Sequence, residues 1–486
     1  MKLINRLLAT EYMVKPEKRH GEIPDSREAY GASLRIALPA VVEMVSMSLM
    51  GMIDTIMVGR LDAHGVAVAS VGLTIQPRMI FLAIFFALNI SVTAIIARNK
   101  GAGDMRAVRS CLKTALVINL ILGVLVTVIS VSLARPMMMI SGAQADTIAP
   151  ATSYFRITSF ALLFQVMTMT ICAAQRACGN TKITMKVNVV AKVLSVVLNF
   201  LLIEGRLGFP RMEVDGAAWS TVIAAFVAFC LAAYTVVHRN SPLYINLNVK
   251  VLVNLFQKVV GFGAKPHGLD FDFQMLRKIG KLTSGSIVEQ IGLRVGFFLY
   301  ALVVANLGTE EFAAHLIVMQ LMALSFTFAD GIGIATTSLV GQNLGKKRPD
   351  LSTVYGKIGL RLAIFCALAL SGICVVFRFW FPMLFSAYEG IIETAAGLIL
   401  ILAVIMPFQT AQVVMGGSLR GAGDTRFVAL TMILTVGILR PAMGFLLTYP
   451  LGWGLTGAWI AIIVDQAARL AMLLTRFVRG KWITMS

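Results

Sequence analysis

The chain has 486 residues, 58% hydrophobic and 14% charged, with a mean hydropathy of +0.82. That excludes an ordinary soluble globular domain and leaves a chain held mostly in a lipid bilayer. The formal net charge of +19 does not describe a nucleic-acid surface, because the basic residues recur between apolar runs and do not gather on one face, so no nucleic-acid partner is expected.

In chain order, a basic tail over 1–32 (Lys2, Arg6, Lys15, Lys18, Arg19, Arg27) precedes the first long apolar run, which begins near Leu34 and lacks a signal-peptide cleavage pattern. Apolar runs cut by Gly, Pro and charge then predict helical spans near 33–59, 66–97, 107–134, 150–173, 183–203 and 214–238. A polar segment over 239–277 follows, with a short amphipathic surface helix over 249–260, and six further spans lie near 278–306, 311–342, 351–380, 391–418, 427–449 and 454–478. The fold class is therefore all-α: a polytopic membrane protein of about twelve transmembrane helices in an N-terminal lobe (33–238) and a C-terminal lobe (278–478), closed by a tail over 479–486. Alternate loops collect Lys and Arg, which places both termini in the cytoplasm and the chain in the inner (plasma) membrane. The six cysteines lack metal-ligand spacing and read as small buried hydrophobes.

The halves repeat. Arg176-Ala-Cys-Gly-Asn-Thr-Lys182 returns 244 residues later as Arg420-Gly-Ala-Gly-Asp-Thr-Arg426, Ala97-Arg-Asn-Lys-Gly101 returns at the same shift as Gly341-Gln-Asn-Leu-Gly345, and Glu43 returns as Glu289 after 246. Each unit has an even number of spans, so the copies are parallel about an axis along the membrane normal, with a cleft between them suited to alternating access.

With these repeats, the stretches Gly51-Met-Ile-Asp-Thr-Ile-Met-Val-Gly-Arg-Leu61, Gly331-Ile-Gly-Ile-Ala-Thr-Thr-Ser-Leu-Val-Gly-Gln-Asn-Leu-Gly345 and Gly417-Ser-Leu-Arg-Gly-Ala-Gly-Asp-Thr-Arg426 resemble the multidrug and toxic compound extrusion (MATE) family, over nearly the whole chain. The resemblance implies a V-shaped pair of six-helix bundles, a monomer, exporting small, mostly cationic and amphipathic compounds against inward flow of H⁺ or Na⁺, with no other cofactor. It implies a cation site on the first-span aspartate, here Asp54, with partners on the fifth span at Ser195 and Asn199; the first partner departs from the family's Asn. Asp54 and Asn199 are its metal ligands if Na⁺ is the coupling ion. A second acidic site on the tenth span falls on Gln409 and is absent on this comparison.

The residues themselves add candidates. An ionised carboxylate at mid-membrane costs on the order of 3 kcal/mol, so acids within spans are functional candidates, Asp54 first. Asp54 and Asn199 lie at matching depths, with Ser195 one turn below Asn199 on the same face. Against this stands plain interhelical hydrogen bonding by Ser and Asn. Glu43 and Lys192 lie at comparable depth and are expected to pair, unless Lys192 snorkels to the surface. Glu289 and Asp330 in the C lobe, with Arg294 near them and sharing a face with Gln290, are candidates for substrate or proton contact. Asp465 and Arg469 form an i,i+4 pair read as structural. Methionines 44, 47, 50, 52, 167 and 169 suit either an adaptable apolar cleft or ordinary packing.

Gly-x-Gly-Asp occurs twice, as in intramembrane aspartyl proteases, but Asp104 and Asp424 fall in basic turns, so the chain is not read as an enzyme. A flippase for lipid-linked precursors needs several inward arginines, for which Arg78, Arg294 and Arg440 are available. An uncoupled channel or scaffold lacks the ring of charge such a pore uses.

Overall fold

The computed structural model describes residues 9–59, 66–141, 143, 147–203, 205, 208, 210–238, 243–244, 273–385 and 388–483, with the side chains at 52, 54–56, 58, 59, 66–69, 76, 273, 305 and 309 outside that set. All regular structure among the described residues is helical, and twelve helices are long and apolar enough to cross a bilayer. The N lobe comprises α1 (Ser26–Gly59), α2 (Val66–Gly101), α3 (Met105–Ser132), α4 (Ile148–Ala177), α5 (Thr181–Leu202) and α6 (Glu213–Val237). The C lobe comprises α7 (Phe273–Ala305), α8 (Thr309–Gly345), α9 (Pro349–Val376), α10 (Glu389–Gly421), α11 (Thr425–Thr448) and α12 (Gly454–Arg479). Short helices at Ala134–Ile140 and Trp380–Met383 follow α3 and α9. Within α11, residues Ile433–Leu439 widen into π turns just before the Arg440-Pro441 step.

Several helices run past the apolar limits read from sequence. The helix α1 starts at Ser26 and not near 33, and α7 starts at Phe273 and not near 278. Hydropathy marks only the part in hydrocarbon, whereas the hydrogen-bonded turns continue into water through polar residues. The surface helix expected over 249–260 lies outside the described residues.

The repeat is visible in the turns. Gly179 (φ +84°) between α4 and α5 has its mate in Gly423 (φ +90°) between α10 and α11, and Gly103 (φ +77°) between α2 and α3 has its mate in Lys347 (φ +58°). The left-handed conformation suits glycine; at 347 a lysine adopts it. Asp104 accepts a hydrogen bond from Ala107 N at 2.9 Å and caps α3.

The lobes meet at the end that carries the termini, where α2 and α8 cross at backbone distance. A Cβ on Gly101 would stand 1.7 Å from the Gln342 carbonyl oxygen, and one on Gly345 would stand 1.8 Å from that of Arg98. These contacts are mates under the 244-residue repeat, and Ala97 faces its own mate Gly341 between them, so the pseudo-twofold axis passes through this crossing. Ser338 Oγ and Gln342 Nε2 both donate to Ala177 O, at 3.0 and 2.8 Å, and tie the end of α4 into the seam. The N-terminal segment also crosses to the C lobe. Met13 and Val14 are buried against Val354 and Ile358 of α9, Lys357 Nζ donates to Met13 O, His20 N donates to Asp350, and Arg348 reaches Glu22 O.

Candidate transport site

The helices α1 and α5 run parallel with one fixed register. Thr181 Oγ1 donates to Ile36 O at 2.9 Å, and Asn188 Nδ2 donates to Glu43 Oε1 at 2.7 Å, each pair 145 positions apart. On α5 the polar residues Thr181, Thr184, Asn188, Lys192, Ser195 and Asn199 recur at intervals of three and four, which puts them on one stripe. Val190, Val193, Val197 and Phe200 occupy the opposite, exposed face, so the polar stripe is turned inward by burial of everything else that lipid does not want. Ser195 and Asn199 are both buried, and Asn199 Oδ1 accepts from Ser220 Oγ of α6. Eleven residues beyond the Glu43–Asn188 contact, about 16 Å along both helices, the same register carries position 54 level with Asn199. The side chain of Asp54 is outside the described set.

Glu43 is fully buried and accepts three hydrogen bonds: from Arg176 Nη1 at 3.0 Å, Asn188 Nδ2 at 2.7 Å and Thr184 Oγ1 at 2.6 Å. The expected partner Lys192 is not among them. It sits one turn further along the stripe, half-buried, while Arg176 at the last turn of α4 reaches in with its longer, forked head group. Thr184, Asn188 and Arg176 were therefore missed as a set, although the three-and-four spacing on α5 was there to be read.

The C lobe repeats this arrangement in reduced form. Arg420 Nη1 meets Glu289 Oε1 at 2.5 Å, as Arg176 meets Glu43, and Thr425 Oγ1 reaches Leu282 O at 3.5 Å, as Thr181 reaches Ile36. The positions matching Thr184 and Asn188 are Val428 and Met432, and neither side chain can donate a hydrogen bond. Glu289 Oε2 accordingly has no partner among the described residues, although Glu289 is 1% exposed. Asp330, in the middle of α8, is exposed, while its neighbour Gly331 packs directly on Val41 of α1. Arg294 is exposed halfway along α7. Gln409 is fully buried and donates through Nε2 to Met322 O at 3.1 Å, so it joins α10 to α8.

The MatE family pattern matches residues 39–201 and again 286–446, one copy in each lobe. The chain belongs to the MatE family. As a MatE protein it is a membrane transporter and not an enzyme. A Thermotoga maritima relative described as probable multidrug resistance protein NorM is 27% identical over 95% of this chain and 94% of its own. The Pseudomonas aeruginosa multidrug resistance protein PmpM is 24% identical over 92% and 91%. A solved outward-facing conformation of a multidrug resistance MATE family transporter of the MOP superfamily shares the fold, with a TM-score of 0.83 at 20% identity over 94% of this chain and 97% of that one.

Several polar residues of this MatE chain are committed to structure. Asp465 is held by Arg469 Nη2 at 2.7 Å and also by Arg440, whose guanidinium lies 5.0 Å over the Phe297 ring. The two-residue pair read from sequence is thus a buried triad with one net positive charge, and Arg440 is unavailable to a cleft. Arg78 donates to Gln165 Oε1 at 2.7 Å. Asp424 is buried against Arg476 at 2.8 Å, and Asp104 caps a helix, so both Gly-x-Gly-Asp aspartates serve turns.

Proposed function

We propose that this chain is a secondary active exporter of small, mostly cationic amphipathic organic compounds, working by alternating access in exchange for H⁺ or Na⁺, with both termini cytoplasmic in the inner membrane. The observation that carries the reading is the inward polar stripe of α5 in register with α1. It brings Ser195 and Asn199, both buried, level with position 54. Asp54 takes the coupling cation. A proton or Na⁺ there cancels a charge whose burial is costly, and the oxygens of Asn199 and Ser195 complete a hard-cation shell if the ion is Na⁺. Neutralisation allows α1 and α5 to repack against each other, and Glu43 with Arg176 transmits that change to the seam through Ala177. The substrate contacts are Asp330 and Arg294, exposed on α8 and α7, with Glu289 buried behind them against Arg420; acids among them suit a cationic cargo.

The names of the relatives support export of drugs. The flippase alternative needs several free inward arginines, and of its three candidates Arg78 and Arg440 are engaged within their lobes, leaving Arg294. Dye efflux from proteoliposomes under an imposed pH or Na⁺ gradient tests the proposal. Wild type exports dye as the imposed cation gradient runs down in the opposite direction, and Asp54→Asn loses gradient dependence. Unchanged gradient-driven efflux in that variant would remove Asp54 from coupling.

A further inference from the structure

At the end of the N lobe opposite the termini, a cavity of about 530 Å³ opens between the short helix Ala134–Ile140 and the start of α4. Two arginines line it, Arg135 from the short helix and Arg156 from the third turn of α4. Both are exposed, and neither has a carboxylate partner among the described residues. Between them lie Thr152, Ser153 and the first two residues of α4, Ile148 and Ala149, whose amides belong to the unsatisfied first turn. The capping position, Thr147, makes no side-chain hydrogen bond to them. Thr152 is 8% exposed, lines the cavity, and its Oγ1 has no hydrogen-bond partner among the described residues. A buried hydroxyl without a partner, two first-turn amides without a side-chain cap and two arginines around one space ask for an anion with several acceptor oxygens.

The surroundings choose the source of that anion. The short helix buries Ala134 and Met138 against Ala151 and Phe155, which fixes Arg135 over the cavity. It leaves Met139 and Ile140 52% and 87% exposed, as an interfacial helix does when its apolar side lies among acyl chains. Below the cavity, toward the bilayer centre, Ile157 and the exposed Phe160 continue an apolar surface along α4. Polar ligands above an acyl-covered wall fit a lipid at headgroup depth better than a solute from water.

We infer that this cavity binds the phosphate of an anionic phospholipid headgroup in the leaflet opposite the termini. Arg135 and Arg156 grip the phosphate, and Thr152 Oγ1 donates to one of its oxygens. Phosphatidylglycerol is the test ligand, with phosphatidylcholine and inorganic phosphate as the comparison arms.

The full chain, reconstituted in phosphatidylcholine nanodiscs, is titrated with phosphatidylglycerol while bound lipid is counted by native mass spectrometry and Tm is followed. Wild type takes up phosphatidylglycerol in preference to phosphatidylcholine and gains thermal stability. Arg135→Gln/Arg156→Gln keeps its Tm in phosphatidylcholine but binds phosphatidylglycerol roughly tenfold more weakly, the loss expected for charge-assisted hydrogen bonds. Thr152→Val weakens binding without removing either charge. Equal uptake of phosphatidylglycerol by wild type and the double variant would overturn the site. Inorganic phosphate alone reproducing the full stabilisation would overturn the lipid assignment in favour of a soluble anion.

Discussion

A single methyl group at the α2–α8 crossing is expected to open the seam. In Gly345→Ala the new Cβ would lie 1.8 Å from the Arg98 carbonyl oxygen and 2.8 Å from Ala102 N, against the 3.0 Å that Cβ contacts keep, and both neighbours are backbone. The helices must therefore part by more than an ångström, whereas the open arrangement pays nothing for the methyl. Overpacking of this kind costs about 1–3 kcal/mol, which moves a two-state equilibrium about 5- to 150-fold. Cys178, 9% exposed and in the same buried apolar cluster as Ala97 and Ile96, reports the change when it is the sole cysteine. Burial pushes its thiol up to about 11, with Lys100 opposing, so at neutral pH in the closed state it is both shielded and protonated, and only the thiolate reacts with maleimide. Opening returns the thiol toward its usual range. Labelling from the terminus side should rise by that 5- to 150-fold factor, and the pH at which it levels off should fall. Gly372→Ala on α9, where nothing lies within 4 Å of the new Cβ, is the control. Unchanged labelling in Gly345→Ala, with labelling of the unfolded chain intact, would refute the seam as the closed gate.

Other expectations follow from the same contacts. Arg176→Met leaves the buried Glu43 carboxylate without its counter-charge and should cost about 3 kcal/mol; adding Glu43→Gln should recover most of the lost Tm, and two independent losses would show that the residues are not coupled. Val428→Thr should restore to Glu289 Oε2 the donor that Thr184 gives Glu43 and raise stability by about 1 kcal/mol, an effect that must vanish in a Glu289→Gln background if the bond is its cause. Asp465→Ala leaves Arg440 and Arg469 facing each other unpaired, and a loss on the order of 3–5 kcal/mol should appear as failed folding or a sharply lowered Tm; a stable variant would mean that the triad is solvated. Deleting residues 1–22 removes the contacts of Met13, Val14 and His20 with α9 and should speed Cys178 labelling without abolishing transport.

The spans, the division into lobes and the 244-residue repeat were legible because lipid imposes a coarse rule on composition that survives without any tertiary knowledge. The ion pairs were less so. Pairing Glu43 with Lys192 assumed that partners share a depth within spans, but Arg176 comes from a helix end and its long side chain covers the difference. The same oversight hid Arg420 behind Glu289, although both pairs stood in the repeated segments. Arg440 was read as a cleft residue because nothing local in the sequence records that α11 and α12 bring it to Asp465. The stripe on α5, by contrast, was fully encoded in spacing. The docked N-terminal segment carried too few apolar residues to distinguish it from a free tail; Met13 and Val14 are its buried apolar anchor, and hydrogen bonds at Met13 O, His20 N and Glu22 O add the rest.

The rocking of one lobe against the other is tested most directly by a distance across the far end. Leu133 and Phe377, repeat mates that follow α3 and α9 and are both about half exposed, can carry spin labels for pulsed dipolar spectroscopy in wild type and in Gly345→Ala. Rigid rocking about the seam predicts that the label-to-label distance shortens in the variant as the terminus side opens. An unchanged distance distribution alongside faster Cys178 labelling would mean that the seam frays locally, and would contradict alternating access by lobe motion.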